Sequence, residues 1–400
     1  MLNQLTIPSK QQDEPAGLYV HIPFCLQKCS YCDFYSIADP SLHQAFLDAL
    51  MIEMNLKSDF ALTFDSLYIG GGTPSIFGAE TIGRIIEEAQ RSFNILKDAE
   101  ITIEVNPDTI TPEKLEGFRR AGVNRINIGV QSYNPENLNF LGRLHSHSDA
   151  DLAGQWAREA GFENICLDLI YGIPGQTKKA WVADLERALR FEPEHLSCYL
   201  LTYEPETPMD ASRQKGRFHP LNDDKISDLF TSTIEFLAGR GYAQYEMSNF
   251  ARIDSDSTAK PGFEQNRSRH NRKYWLFAPY LGLGPASHSF KEPERFWNQP
   301  DVSDYINELA AGRLPPSGRE MLSRSQLMME AIYLGLRQTD GINIDAFEEK
   351  FGVDFQRQFS DTLEGLEEKG LIRSTQKRCA LTHKGMLFLD SITSMLADQV

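Results

Sequence analysis

The sequence predicts an α/β fold organised around a parallel sheet, and three observations predict it. Six short apolar runs rich in β-branched and aromatic residues recur through the first half of the chain. Stretches with apolar residues at helical spacing separate them. Glycine-rich and polar motifs gather at or just after the ends of the runs.

The runs are LYVHI (18–22), SLYIG (66–70), ITIEV (101–105), RINIGV (125–130), ICLDLIYG (165–172) and LSCYLL (196–201). Between the second and third, AETIGRIIEEAQRSF brings Ile82, Ile85, Ile86, Ala89 and Phe93 onto one helical face. Strands separated by helices form a parallel βα array with right-handed crossovers, and chemistry in such a sheet collects at the carboxyl ends of the strands.

Past residue 205 the pattern changes. Residues 251–270 are polar, and a helix is expected near 321–337 around Leu322, Leu327, Met328, Ile332 and Leu336. The tail from Phe355 to Leu396 reads helix, helix, short strands, helix, with DTLEGLEEKGLIRS and CALTHKG resembling a winged-helix unit. The predicted organisation is a polar segment (1–16), a βα core (17–250), a connecting region (251–315) and a mainly helical C-terminal domain (316–400). The acidic balance makes this last unit a packing domain rather than a DNA reader.

That balance is 40 basic against 56 acidic residues, a net charge of −16, which argues against a general nucleic-acid binder. The 41% hydrophobic and 24% charged fractions are those of an ordinary globular chain. The first residues lack the apolar core of a signal peptide, and nowhere do eighteen apolar residues run together, so a cytoplasmic protein is expected. Peripheral contact with the inner face of a membrane stays open, although no basic amphipathic helix stands out.

Of six cysteines, three fall within eight positions: Cys25-x3-Cys29-x2-Cys32, in a loop directly after the first strand. Without a secretory signal such clustering points to metal or cluster chemistry, not a disulfide framework. Three thiolates on a bent loop can each reach one corner of a [4Fe–4S] cubane and leave one iron open. A structural zinc would need a fourth close ligand, and the nearest, His21, precedes the loop on a strand. Cys166, Cys198 and Cys379 lie in apolar surroundings and are expected in the core.

The stretch YVHIPFCLQKCSYCDFYS (19–36) resembles the radical-SAM proteins related to the oxygen-independent coproporphyrinogen III dehydrogenase, and among them the HemW haem chaperones. The resemblance runs from Leu18 to the C-terminal domain. It implies an open six-stranded (βα)6 partial barrel with a C-terminal helical domain, and a cluster whose open iron binds S-adenosylmethionine. It also implies the pocket for that cofactor. Gly71, Gly72 and Thr73, in GGGTPS, match a loop that meets the amino group, and Glu104 in IEVNPD matches a ribose ligand. Gln131 in GVQS and Arg143 in LGRLHS match further cofactor positions, an Arg fork being suited to a carboxylate. Asp168 in LDLIYG lies on the fifth strand, and Tyr19 and Tyr31 match positions lining the pocket.

Two features separate the relatives. The dehydrogenase carries a further cysteine two residues past the third ligand; here that residue is Phe34, and only about 17 residues precede the first strand, too few for its N-terminal substrate element. His270-Asn271-Arg272-Lys273-Tyr274-Trp275 matches the HNxxYW signature of the haem-binding group, making His270, Tyr274 and Trp275 haem candidates, with His288 and the surface beside the cluster as competitors. On its residues alone, HNRKYW reads as a structural loop with His270 hydrogen-bonded in place; it is the signature that brings haem ligation level with that reading. The resemblance thus implies a chaperone that binds haem and passes it to acceptor proteins such as membrane respiratory enzymes, served by an electron donor if the cluster is reduced, and compatible with a homodimer. The rival is oxidative decarboxylation of coproporphyrinogen III; radical chemistry on an unrelated substrate is the third reading.

Overall fold

The computed structural model describes residues 14–253 and 262–400. Most of the predicted N-terminal polar segment, and part of the polar stretch after residue 250, lie outside the described residues.

All six predicted runs are strands: β1 (Ala16–Ile22), β2 (Thr63–Gly71), β3 (Asn94–Val105), β4 (Arg125–Gln131), β5 (Ile165–Tyr171) and β6 (His195–Leu200). They pair in parallel and in consecutive order. The sheet does not stop there. Beyond β6 it continues through β7 (Tyr242–Gln244) and β8 (Asn249–Arg252), with β8 paired to β6. Beyond β1 it continues through β9 (Tyr280–Leu283), β10 (His288–Lys291), β11 (Glu294–Asn298) and β12 (Ser317–Met321). The expectation of a six-stranded unit is therefore corrected: among the described residues the sheet is mixed and twelve-stranded. The added strands are three to five residues long against six to twelve for the central ones, and the outermost, SGREM, is largely exposed. Segments this short carry little periodic signal, and at the two edges, β7 and β12, no apolar run is needed.

The central strands have two chemically distinct faces, because side chains alternate along a strand. One face carries Leu18, Val20, Ile22, Leu67, Ile69, Ile103, Ile126, Ile128, Leu167 and Leu169, all fully buried. Helices cover it. Helix Ala79–Ser92, for example, buries Ile82, Ile85, Ile86 and Ala89; Phe93 follows it in extended backbone but is buried too. Helix His147–Glu159 begins with a reciprocal cap between Ser146 and Asp149. The opposite face is polar: Ser66 and Tyr68 on β2, Glu100, Thr102 and Glu104 on β3, Arg125 and Asn127 on β4, Cys166 and Asp168 on β5, His195 and Ser197 on β6. Burying polar groups is costly unless they bond one another, and most of these do, as described below; the Thr102 hydroxyl is buried without a partner.

The C-terminal part opens with helix Arg324–Arg337, held at its start by Ser323 and Gln326. Behind it come a small antiparallel sheet of β13 (Ile342–Asn343), β14 (Ile372–Ser374) and β15 (Arg378–Leu381) and several short helices, ending with Leu389–Ala397. The predicted order helix, helix, strands, helix over 355–396 is present; β13 and helix Ile344–Phe351 are additions. This part is tied to the sheet by Arg337, whose guanidinium lies 2.8 Å from the buried carboxylate of Glu246. Among the described residues, no helix is long and apolar enough to cross a membrane.

Candidate functional site

A cavity of about 950 Å³ opens at the carboxyl ends of the parallel strands, where the C-terminal part forms its far wall. Cys25, Cys29 and Cys32 line one side of it, all as partly exposed free thiols. Their loop is clasped at its base: Cys25 N–H donates to the Ile37 carbonyl (3.0 Å) and Ile37 N–H to that of Pro23 (2.8 Å). Burial raises the thiol of Cys32. Among the described residues, no three His, Cys, Asp or Glu side chains are grouped as a single metal ion would need; a cubane cluster binds its thiolates on separate irons.

The end of β2 locks onto this loop. Gly72 N–H donates to the Ile22 carbonyl and Thr73 N–H to that of Phe24, each at 2.7 Å. A Cβ at residue 72 would stand 2.4 Å from the Phe24 carbonyl oxygen. This glycine is thus demanded by the cysteine loop itself, a closer reason than ligand access. Thr73 Oγ1 donates to Cys25 Sγ (3.5 Å) and accepts from Asn106 Nδ2 (3.1 Å).

Arg143 stands across from it. Its guanidinium donates to Asn106 Oδ1 (2.7 Å), the Gly129 carbonyl (3.1 Å) and Cys29 Sγ (3.5 Å), while its Nε is buried without a hydrogen-bond partner. Such a cation beside thiols and an open cavity is equipped to receive an anionic group. A Cβ at Gly129 would lie within 3.5 Å of Gln131, Asn106 and Arg143 at once, so this glycine makes room for the trio. Gln131 itself has φ of 64°, after a register irregularity between β4 and β5. A non-glycine residue held there costs on the order of 1 kcal/mol and is a feature found at binding sites.

Two carboxyls complete the floor. Glu104 accepts from Tyr68 Oη (2.7 Å) and Gly71 N–H (3.1 Å), and burial pushes it up to about 7. Asp168 accepts from Asn127 Nδ2 (2.8 Å), and burial pushes it up to about 6. Hydroxyl donors entering the cavity would favour the ionised form of both.

The structure thus brings Cys25, Cys29, Cys32, Tyr31, Gly71, Gly72, Thr73, Glu104, Gln131, Arg143 and Asp168 to one cavity. Tyr19 is not among its lining residues; its hydroxyl meets His21 Nδ1 at 3.0 Å. Cys198 and Cys379 are buried in apolar packing as expected. Cys166 is buried on the polar face, 2.8 Å from His195 Nδ1 and 3.7 Å from Asp168 Oδ1. The haem candidates sit elsewhere. His270, 1% exposed, has both ring nitrogens engaged, Nδ1 with Ser66 Oγ and Nε2 with Tyr274 Oη, each at 3.0 Å. Neither nitrogen can reach a metal in this arrangement, and Tyr274 is spent on the same bond. Trp275 lies under Arg337 and beside Tyr245. None of the three lines the cavity. His288 is exposed and stacked on Trp297. Phe34, in contrast, is 69% exposed and lines the cavity beside the cysteines.

Sequence reasoning missed Asn106, which joins Thr73 to Arg143, and Tyr68, which holds Glu104. It also missed the residues that the C-terminal part adds to the lining of the same cavity, Arg337 and Phe388 among them. Tyr68 was accessible from the alternation that places it on the same face as Gly70.

Comparison with known proteins agrees with this geometry. A model of the radical SAM superfamily matches residues 19–188, and one of the HemN C-terminal domain matches 322–388. Heme chaperone HemW of Bacillus subtilis (strain 168) is 35% identical over 374 residues, which cover 92% of this chain and 96% of that one. The chain belongs to the HemW family of the radical SAM superfamily. The HemW of Escherichia coli (strain K12) is 36% identical over 280 residues, 68% of this chain and 70% of its own. A solved structure titled as Escherichia coli coproporphyrinogen III oxidase (HemN), a radical SAM enzyme, superposes with a TM-score of 0.80 at 26% identity, covering 96% of this chain and 91% of that one. The fold is thus that of a radical SAM protein, and by sequence the chain sides with the HemW members.

Proposed function

We propose that this chain is a haem chaperone, binding haem and passing it to acceptor proteins. The observation that carries this reading is Phe34. Where the decarboxylating relatives carry a thiol beside the cluster ligands, an exposed phenyl ring faces the cavity. A phenyl group has neither donor nor titratable proton for chemistry on a porphyrinogen, yet it is a good platform for a flat macrocycle.

Within that reading, Cys25, Cys29 and Cys32 hold a [4Fe–4S] cluster with one open iron. S-adenosylmethionine lies against Gly71, Gly72 and Thr73, with its ribose at Glu104 and its carboxylate at Arg143. Gln131, Asp168 and Tyr31 close the pocket, and Tyr19 supports it from outside the lining. The residues fit such a cofactor: the Nε of Arg143 is buried without a partner beside the cavity, as an amino-acid carboxylate would need, and burial raises Glu104 and Asp168, whose ionised forms ribose hydroxyls would favour. When bound, the pair supplies radical chemistry that side chains lack. The residues themselves bind, orient and shield it. Haem is assigned to the cavity mouth beside Phe34 and Phe388, and not to His270, Tyr274 and Trp275.

The acceptors include membrane respiratory enzymes, reached from the cytoplasmic side, with an electron donor to the cluster where it is reduced. Residues 17–250, 251–315 and 316–400 serve as cofactor core, connector and cavity wall.

The test is anaerobic reconstitution followed by two assays on the same sample. Haem titration is expected to saturate near one equivalent per chain, with coproporphyrinogen III unconsumed in the presence of S-adenosylmethionine and reductant. Turnover without haem binding would establish the decarboxylase instead.

A further inference from the structure

The HNRKYW segment is helix Arg269–Trp275, and it lies against the polar face of the sheet beneath the cavity. Its first turn is bound to the strands. Ser268 Oγ caps Asn271 N–H at 3.2 Å, and Glu100 on β3 accepts from the N–H groups of Arg269 (3.1 Å) and His270 (3.0 Å). Lys273 pairs with Asp65 at 3.0 Å on β2. The helix is thus pinned to β2 and β3, the two strands whose ends carry Gly71 and Glu104.

From this helix His270 reaches into the polar face. Its ring is stacked on that of Tyr68, with centroids 5.0 Å apart and planes 27° apart. Ser66 and Tyr274 hold the imidazole by both nitrogens, so it cannot rotate without breaking a buried bond. On the far side of the Tyr68 ring, the hydroxyl donates to Glu104. Ser66, Tyr68 and Gly70 alternate along one strand face, so the imidazole fills the space directly behind the tyrosine. Burial lowers His270 to about 3, and it stays the neutral donor–acceptor its two partners need. A second hydrogen-bonded line leaves the same helix. Ser268 N–H donates to Tyr245 Oη, which meets His195 Nε2 at 2.7 Å, and His195 Nδ1 meets Cys166 beside Asp168.

We infer that His270 is a positioning residue of the S-adenosylmethionine pocket, fixing the Tyr68 ring and through it the carboxylate of Glu104. This rests on the assignment of Glu104 to that cofactor. The HNRKYW helix is then the back wall of the cofactor site, and its histidine serves the cofactor from one layer behind without touching it.

The test measures S-adenosylmethionine affinity by equilibrium dialysis on anaerobically reconstituted protein, with haem titrated separately on the same samples. Tyr68→Phe removes only the hydroxyl on Glu104 and should weaken the cofactor about tenfold or more. His270→Ala should weaken it comparably, and the double variant should be no worse than the weaker single one, because both act through one bond. Should His270→Ala fail to fold, Ser66→Ala, which frees one side of the imidazole, is read in the same way. Haem stoichiometry should not change in any of them. Losses that add, or unchanged cofactor affinity in the His270 or Ser66 variant, would overturn the inference while leaving the pocket in place. Failure of the wild-type chain to bind S-adenosylmethionine would overturn the pocket itself, and the inference with it.

Discussion

The two faces of the central sheet are made by the same six strands, one residue out of step, and they do opposite work. On one face, leucine, isoleucine and valine pack under helices, and stability follows from area removed from water. On the other, polar and aromatic groups are tied across strands: Tyr68 to Glu104, Asn127 to Asp168, Cys166 to His195, Ser66 to His270. The first face specifies the fold; the second arranges donors and acceptors around a cavity. Substitutions should therefore separate cleanly by parity along a strand.

The largest effect belongs to the loop that crowns both faces. Single replacement of Cys25, Cys29 or Cys32 by Ala should abolish cluster assembly, whereas replacing Cys166, Cys198 or Cys379 should leave iron and sulfide content unchanged. Iron and sulfide analysis of the six variants decides it, and equal loss in both sets would remove the assignment. Next, Leu67→Ala on the apolar face should cost about 2–5 kcal/mol of stability. Denaturant unfolding of the folded fraction should show this with unaltered S-adenosylmethionine affinity. Arg143→Ala on the cavity side should do the reverse, losing about 1.5–3 kcal/mol of cofactor binding, one to two decades, with little change in unfolding midpoint. A variant that moved both readouts equally would break the division.

How much of this was legible beforehand differs between the faces. The apolar face announces itself, because Leu67, Ile69, Ile101 and Ile103 sit in β-branched runs, and all six strands were found from such runs. The polar face was legible only where a motif marked a strand end, as at Gly71, Glu104 and Gln131. Ser66, Tyr68 and Asn127 carry no motif, and their role depends on partners 36 to 204 residues away in the chain. His270 shows the limit best. The HNRKYW signature was visible, but whether its histidine faces a ligand or a serine depends on the docking of one short helix, which residue identities do not encode locally. Strands β7 to β12 escaped notice because each is only three to five residues long, too short for a clear alternation.

A pH experiment sharpens the comparison further, since Glu104 has opposite consequences for folding and binding. Its carboxyl is raised from 4.5 to about 7 in the folded chain. Below pH about 4.5 it is protonated in both states, and no stability is lost. As pH rises from about 4.5 to 7 the unfolded chain ionises first, so folded stability should fall across that window. Cofactor affinity should rise over the upper part of it, because ribose hydroxyls donate to the ionised form. Glu104→Gln should flatten both slopes in parallel titrations followed by thermal melts and dialysis. The smallest effect is expected far from the cavity: Ser146→Ala, at the cap of a covering helix, should cost about 1 kcal/mol and leave cofactor binding untouched.

Haem transfer is the most direct test of the chaperone reading. Reconstituted chain loaded with one equivalent of haem is mixed with increasing concentrations of an apo-b-type haem protein, and the Soret bands of donor and acceptor are followed in stopped flow. A chaperone hands haem over in a complex, so the transfer rate should rise with acceptor concentration above the rate of spontaneous haem loss, with cluster iron and sulfide unchanged. A rate equal to spontaneous loss at every acceptor concentration would contradict transfer and leave a protein that merely binds haem.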